Sequence, residues 1–307
     1  MKIYRGFDDP ALKRRDRSAA IGIFDGVHLG HQQILKKLVA DAKRARRASL
    51  VITFDPHPAK VLHPAAQHPP ILMSLAHRLR LFEKLGVTET LVVRFDRKFS
   101  GIAHETFVSE LLVGRCGVRS LTVGYDFRFG HQGLGTLEYL SRAAKSFGFR
   151  LSVVGALKQG GRVISSTEIR RRIVRGQLKD AARMLGRPVS VYGDVVKGKG
   201  RGKKLGFPTA NINPHHETLP PSGVYAVRGF LGGRRLAGVL HLGARPTFAE
   251  RDRSVEVHFF NLHSDLYGRE IELEFIHKLR NIKHFKGPEQ LIRAIESDIR
   301  RAKSLVF

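Results

Sequence analysis

Short apolar runs alternate with helical patterns through the first half of the chain. The runs are rich in β-branched residues, which is typical of buried strands. They occupy residues 18–24, 48–54, 90–95, 119–125 and 149–157. Between the first two runs, apolar residues recur at helical spacing with lysines opposite: Ile34, Leu35, Leu38, Val39 and Ala42. This order predicts βαβ units, and therefore a parallel sheet covered on both faces.

The pattern changes after a helical stretch at residues 166–186. Short strands separated by Gly, Pro and Asn turns follow at residues 189–196, 223–230, 236–242, 254–260 and 270–276. They predict an antiparallel sheet closed into a small barrel. A last helix has one apolar face, formed by Leu291, Ile295, Ile299 and Ala302. We place the domain boundary where Gly-Arg-Pro ends the helical stretch, which gives domains 1–186 and 187–307.

The length and composition favour a two-domain protein with ordinary cores. The chain has 307 residues, of which 42% are hydrophobic. No run approaches the roughly 18 apolar residues of a membrane span, and the N-terminus lacks the apolar stretch of a signal peptide. We therefore expect a soluble, cytoplasmic protein with no membrane partner. Cys116 is the only cysteine, which excludes an intramolecular disulfide and a thiolate zinc cluster.

The formal charge of +27 has two explanations. A basic surface attracts polyanions such as nucleic acid, but it also suits anionic small substrates. Residues 1–186 hold 33 of the 54 lysines and arginines, in proportion to their share of the chain, so neither half is a basic module. The basic clusters are short and lie at 13–17, 43–47 and 170–172. A solvated basic surface with anionic substrates is the favoured explanation, and nucleic-acid binding stays open.

The segment GIFDGVHLGH, residues 22–31, joins the first strand to the first helix. Glycines at 26 and 30 let the backbone approach a ligand, and the helix directs free N–H groups at the same place. His28 and His31 lie one helical turn apart, so both rings can face that ligand. The segment therefore predicts an anion site. Two histidines without a third nearby ligand make a poor zinc site, and a purely structural role for them is the other alternative.

Further polar side chains follow other strands. His57 lies in FDPHP (54–58) and Asp126 in GYDFRFG (124–130), while ISSTEIR (164–170) opens a helix. The last motif supplies four candidate phosphate ligands: Ser165, Ser166, Thr167 and Arg170. Ser-Ser-Thr before Glu also suits a helix N-cap. Because ligands bind at the carboxyl ends of parallel strands, we expect these groups to share one pocket.

These four motifs, in this order, resemble the adenylyltransferase half of the bacterial bifunctional riboflavin kinase/FAD synthetases. The resemblance implies a Rossmann-like nucleotidyltransferase domain that converts ATP and FMN to FAD and pyrophosphate. It implies that His28 and His31 contact phosphates, together with the other residues carried across by motif: Gly22, Phe24, Asp25, Gly26, His57, Ser165, Ser166, Thr167 and Arg170. Asp126 is carried across as well, although its carboxylate could instead hold the loop in place.

The second half contains a basic, glycine-rich loop, KGKGRGKKLGFPTAN, at residues 197–211. It lacks the order of a Walker P-loop, but backbone N–H groups of such a loop can wrap phosphates. The glycines concerned are Gly198, Gly200 and Gly202. Thr209 and Asn211 point the same way if extended, and their oxygens suit Mg²⁺ held mainly by nucleotide phosphates. The alternative is a polar turn after a basic surface loop.

Glu256 alternates with Val255 and Val257 in a predicted strand, so it faces away from them. Most such carboxylates face solvent, but beside a nucleotide this one could accept a proton from an attacking hydroxyl. GFPTAN, SVEVH, DLYGREIELEF (265–275) and KLR (278–280) resemble the riboflavin kinase domain of the same family.

That resemblance implies a six-stranded barrel that phosphorylates riboflavin to FMN. It makes Thr209 and Asn211 ligands of Mg-ATP and Glu256 the base, and it places Arg280 on a flap over the flavin. The chain departs from the family at GVLHLGARPTF (238–248), where Leu240 and His241 replace a small residue and an asparagine. An FAD synthetase with a weak or lost kinase half is therefore an alternative to the bifunctional enzyme.

Overall fold

The computed structural model describes residues 1–63, 68–198, 202, 205–244, 253–262 and 266–306. The chain forms two compact units, one of Met1–Ile71 with Leu75–Ser166 and one of Leu72–Ser74 with Thr167–Phe307. This division assigns the helical stretch 167–186 to the second unit. The boundary at 186/187 remains a prediction.

The first unit is built on a six-stranded parallel sheet, as the sequence predicts. Its strands are β1 (Lys2–Arg5), β2 (Arg17–Ile21), β3 (Ala48–Asp55), β4 (Glu89–Arg94), β5 (Val118–Gly124) and β6 (Arg150–Val154). Their order is β1-β4-β3-β2-β5-β6. The order reverses direction at β2, and such a switch point is where ligands bind in open parallel sheets. A two-stranded hairpin follows, with β7 (Lys158–Gln159) and β8 (Arg162–Val163).

Helices connect these strands. They are α1 (Leu29–Arg44), α2 (Pro58–Leu62), α3 (Leu75–Lys84), α4 (Arg97–Ser100), α5 (His104–Thr106) and α6 (Leu137–Phe147), with a π-helical segment at Phe107–Arg115 and a 3₁₀ turn at His131–Gly133. The predicted apolar stripe of α1 is buried at Ile34, Leu35, Leu38 and Ala42. Strands β2 and β4 are almost wholly buried, which explains their continuous apolar character.

The second unit is a closed antiparallel barrel with helices around it. Its strands are β9 (Ser190–Val196), β10 (Ala210–Pro214), β11 (Gly223–Leu231), β12 (Arg234–Ala244), β13 (Arg253–Phe259) and β14 (Glu270–Arg280). The barrel order is β10-β13-β12-β11-β14-β9. The six strands and the C-terminal helix α9 (Pro288–Val306) confirm the predicted fold.

The predicted helical stretch 166–186 is two helices, α7 (Ser166–Val174) and α8 (Leu178–Leu185). Gly176 separates them with a φ of 75°. Such a φ is favourable for glycine and strained for other residues, so the helix ends here. Helix α9 packs Ala302 and Val306 against Val224, Ala226 and Val239 of the barrel.

Candidate active sites

The turn between β2 and α1 has an unusual backbone. Strand β2 ends at Ile21, three residues earlier than the apolar run predicts. Phe24, Gly26 and Val27 all have positive φ, at 54°, 86° and 39°. Positive φ is rare for bulky residues, and it persists only where the surroundings enforce it. Here Phe24 and Val27 are both buried, with exposed fractions of 2% and 1%.

His28 and His31 form a stacked pair at the start of α1. Their ring centroids lie 3.6 Å apart with the planes 20° from parallel. His28 is the N-cap of the helix, and its Nδ1 accepts a hydrogen bond of 3.3 Å from the backbone N–H of His31. A side chain at Gly30 would come within 3.2 Å of the His28 ring, so the glycine gives that ring its space. The predicted histidine pair is therefore brought together at a helix N-terminus.

Ser166 reaches the same turn from far along the chain. Its Oγ donates a hydrogen bond of 2.7 Å to the backbone carbonyl of Asp25, a residue that is only 4% exposed. The structure thus joins the ISST motif to the GIFDGVH motif, as the sequence predicts. Ser165 directly precedes Ser166. Thr167 and Arg170 lie on α7 in the second unit, and their contact with phosphates remains a prediction.

Arg78 is a residue of this region that the sequence analysis missed. Its side chain lies under the ends of β2 and β3, where Nη1 donates to the Ile23 carbonyl (2.6 Å) and to Thr53 Oγ1 (2.7 Å), and Nη2 donates to the Phe54 carbonyl (3.1 Å). Burial lowers the pKa of Arg78, while the negative charges of Asp25 and Asp55 oppose that shift. A buried guanidinium at this edge adds positive charge beneath the predicted phosphate site.

The remaining predicted groups lie after neighbouring strands. His57 caps α2, with its Nδ1 accepting from the Ala59 N–H at 3.1 Å. Asp126 is exposed after β5, and its carboxylate lies so close to Gly124 that a Cβ there would be 3.2 Å from Oδ1. Gly22 lies under the Phe24 ring, which a Cβ would approach to 3.0 Å.

Three predicted residues of the barrel form one row across adjacent strands. Asn211 of β10 lies opposite Glu256 of β13, and Glu256 lies opposite His241 of β12. Directly opposed residues share a face of a sheet. The row continues to Val224, which packs under α9, so these side chains lie on the outer face of the barrel. Leu240 faces the interior and is fully buried.

The glycine-rich loop lies against this row. A Cβ on Gly198 would come within 2.6 Å of Asn211 Cγ, and one on Gly202 would come within 3.1 Å of Thr209 Oγ1. Gly200 lies outside the described residues. The close approach leaves room only for backbone beside these oxygens, which fits a loop that wraps phosphates. The described residues contain no group of three or more His, Cys, Asp or Glu that could hold a metal ion.

His241, which lies opposite Glu256 in this row, has a shifted pKa. Burial lowers the pKa of the imidazole below its ordinary value of 6.5. The nearby Glu256 carboxylate opposes this shift, and the charge of Arg280 adds to it. The lowered pKa favours the neutral form of His241 at pH 7.

Arg280 does not lie on a flap, which corrects the expectation from the sequence. It is the last residue of β14, and its guanidinium is paired with Asp298 of α9 at 2.9 Å. Asp298 is 4% exposed, so the pair ties the strand end to the helix. The sequence motif misleads because Asp298, the partner of Arg280, lies 18 residues further along the chain. A flavin contact by Arg280 remains a prediction.

Comparison with known proteins finds a different family in each half of the chain. The family model for FAD synthetase matches residues 11–168, and that for riboflavin kinase matches residues 185–306. A bifunctional riboflavin kinase/FMN adenylyltransferase of Escherichia coli K12 is 36% identical over 300 residues, covering 97% of this chain and 96% of its own. That of Listeria monocytogenes is 36% identical over 281 residues, covering 91% and 89%.

A solved structure described as a macrolide-efflux protein of Streptococcus pneumoniae has the same fold, with a TM-score of 0.84, 25% identity and 99% of both chains covered. Among the described residues, no helix is both long and apolar enough to span a membrane. Matches to two catalytic families, in this order and along nearly the whole chain, identify the activity: the chain belongs to the bifunctional riboflavin kinase/FMN adenylyltransferases.

Proposed function

We propose that FMN adenylylation takes place at the turn between β2 and α1. The observation that carries this assignment is the stacked pair of His28 and His31 at the N-terminus of α1. Backbone N–H groups and the positive end of the helix dipole favour an anion there. The Ser166 hydroxyl is held at the same turn, and Arg78 lies buried beneath it.

This reaction needs positioning rather than a protein nucleophile. A phosphate oxygen of FMN attacks the α-phosphorus of ATP, the bond from that phosphorus to the β-phosphate bridging oxygen breaks, and pyrophosphate leaves. The histidines and the helix N-terminus stabilise negative charge on the non-bridging oxygens as it grows. Gly26 and Gly30 let the backbone approach closely, and we assign Thr167 and Arg170 to the triphosphate on motif alone.

We place riboflavin phosphorylation at the row of Asn211, Glu256 and His241. The Glu256 carboxylate accepts the proton of a ribityl hydroxyl, whose oxygen then attacks the γ-phosphorus while ADP leaves. Glu256 is only partly buried, so a substrate hydroxyl can reach it. The lowered pKa of His241 favours its neutral form, which adds no positive charge beside the carboxylate, and this suits a general base.

Thr209 and Asn211 are the residues that would hold Mg²⁺ in the kinase site. Their donors are hard oxygens, which suit this ion, and the backbone of the glycine-rich loop lies directly against them. When bound, Mg²⁺ neutralises charge on the β- and γ-phosphates. The substrates we assign are riboflavin, FMN and ATP. Because ATP is the co-substrate of both steps, we place the protein in the cytoplasm.

The test is chromatography of flavins after incubation of the purified chain with ATP and Mg²⁺. One reaction starts from riboflavin and a parallel one from FMN. FAD in both reactions is the expected result, and it makes the change to Leu240 and His241 compatible with kinase activity. FAD from FMN alone would contradict the assignment of the barrel and would favour an enzyme whose kinase half is lost.

A further inference from the structure

A basic cleft lies at the amino-terminal edge of the parallel sheet, and the two reactions do not use it. Its volume is about 410 Å³. The end of α1, the starts of β5 and β6, and the loop after α6 enclose it. Its lining contains four arginines with one carboxylate: Arg44, Arg47, Arg119, Arg150 and Asp41, beside Ala45, Ser120 and Gly148.

The cleft is separate from the histidine pair. Ser120 lies near the amino end of β5, whereas the predicted adenylyl-transfer site follows the carboxyl ends of the strands. Four residues of extended strand from Ser120 to Gly124 put roughly 13 Å between the two edges. A ligand in this cleft is therefore not a ligand of His28 or His31.

The acidic groups at the cleft are already paired. Asp41 lies 3.2 Å from the Lys37 ammonium and 3.7 Å from the Arg44 guanidinium. Asp16, just outside the cleft, accepts a 2.9 Å hydrogen bond from Arg119. That bond, together with the charges of Arg119, Arg47 and Arg14, lowers the pKa of Asp16.

Two of the arginines are uncommitted. Within the described part of the chain, the side chains of Arg47 and Arg150 form neither an ion pair nor a hydrogen bond. The favourable placement of a cation at a helix C-terminus accounts for Arg44. Asp16 accounts for Arg119, but neither explanation accounts for Arg47 or for Arg150, which lies on a strand. The cleft thus holds an excess of positive charge that the fold does not need.

Two buried hydroxyls lie beneath the cleft. Ser120 lines the cleft, is 9% exposed, and its Oγ has no hydrogen-bond partner among the described residues. Ser18 lies directly opposite it on β2, and its buried Oγ likewise lacks a partner in the described chain. Buried polar atoms without partners are costly and call for an explanation. Both hydroxyl oxygens are closed off from solvent, so they lie beneath the surface of the cleft.

We propose that this cleft binds a compact, multiply charged phosphate group, such as free pyrophosphate or the polyphosphate of a nucleotide. Arginine presents planar, paired N–H donors that match phosphate oxygens, and such charge-assisted bonds are strong. The volume exceeds what one phosphate needs and is too small for a folded partner, which favours a small anion.

The experiment measures protection of individual arginines from phenylglyoxal by mass spectrometry, because the catalytic sites also bind phosphates. The probes are pyrophosphate, ADP and a short single-stranded oligonucleotide, each without added metal. Affinity is measured in parallel by calorimetry for the native chain and for Arg119→Ala/Arg150→Ala. The matched control, Arg293→Ala/Arg300→Ala, removes the same charge from exposed positions of α9.

We expect pyrophosphate or ADP to protect Arg119 and Arg150 from phenylglyoxal. Which of the two compounds protects them shows whether the cleft takes free pyrophosphate or the polyphosphate of a nucleotide. Affinity at this site should fall at least about tenfold in the cleft variant and change little in the control. Arg150→Gln is a milder variant: the Arg150 side chain forms no ion pair or hydrogen bond within the described chain, so the fold should be kept and binding should weaken severalfold. Absence of protection by both small anions, protection by the oligonucleotide alone, or equal loss in both double variants would overturn the proposal.

Discussion

His241 and Glu256 lie directly opposite each other on neighbouring strands of the barrel. The imidazole thus borders the carboxylate to which we assign the proton of the substrate. Protonated His241 would place a cation beside that carboxylate and make it a weaker base. Because burial lowers the pKa of His241, this loss of basicity is confined to pH values below 6.5.

We therefore predict that His241→Asn extends kinase activity toward acid pH. In the native chain, the rate of FMN formation should fall as His241 becomes protonated. In the variant, the fall should move to lower pH. The measurement is kcat for riboflavin phosphorylation against pH. His284→Asn, at an exposed position, is the control and should retain the native pH profile. The prediction would be contradicted if kcat fell at the same acid pH in the native chain and in His241→Asn.

A buried ion pair stabilises the first unit. Arg17 Nε lies 2.6 Å from Glu89 Oε2, with both side chains at most 2% exposed. Arg15 also pairs with Glu89, and the Tyr4 hydroxyl donates to it at 2.6 Å. Burial alone would raise the pKa of Glu89, but the bonds from Tyr4 and Arg17 and the charges of Arg17 and Arg15 lower it.

Glu89→Gln should destabilise the unit by about 3–5 kcal/mol, because it leaves Arg17 buried without its counter-charge. Since the folded pKa is lowered, the contribution is present above the ordinary value of 4.5 and is lost as the pH falls through the lower folded pKa. Urea unfolding at several pH values measures both effects. The exposed Glu289→Gln should change stability by less than about 0.5 kcal/mol. Equal stability of the two variants would contradict a structural role for the pair.

We infer that Arg78 is a positioning residue for adenylyl transfer, because it joins the backbone at the ends of two strands. Arg78→Lys keeps the charge but loses the forked donors that join Ile23, Thr53 and Phe54. We predict that the rate of FAD formation from FMN falls about ten- to a hundredfold, because at least one charge-assisted bond is lost. FMN formation should be unchanged. Arg142→Lys, exposed on α6, is the control. Native FAD synthesis in a folded Arg78→Lys would show that the turn does not depend on this residue.

The sequence patterns predict the buried strands well and the polar ones poorly. Strands β3 and β5 coincide with apolar runs because both faces of a parallel sheet are covered. Strand β1 (KIYR) is short and exposed except at Tyr4, and β10 (ANINP) is polar, so neither produces such a run. The break at Gly176 did have a signal, since glycine after a basic last turn is typical of a helix end.

The candidate sites are predictable where motif and local geometry coincide. His28 and His31 need only the spacing of one helical turn to meet. Arg78 looks like an ordinary polar residue of a helix, because its acceptors lie 24 to 55 positions away. The alignment of Asn211, Glu256 and His241 depends on the register of three strands, and no pattern within a single strand specifies it.

The central claim is that two separate sites carry the two reactions. The most direct test is chromatography of flavins with Glu256→Gln and His31→Ala, each started from riboflavin and from FMN with ATP and Mg²⁺. Glu256→Gln should form no FMN from riboflavin yet convert added FMN to FAD at the native rate, whereas His31→Ala should accumulate FMN. Loss of both reactions in either folded variant would contradict the account.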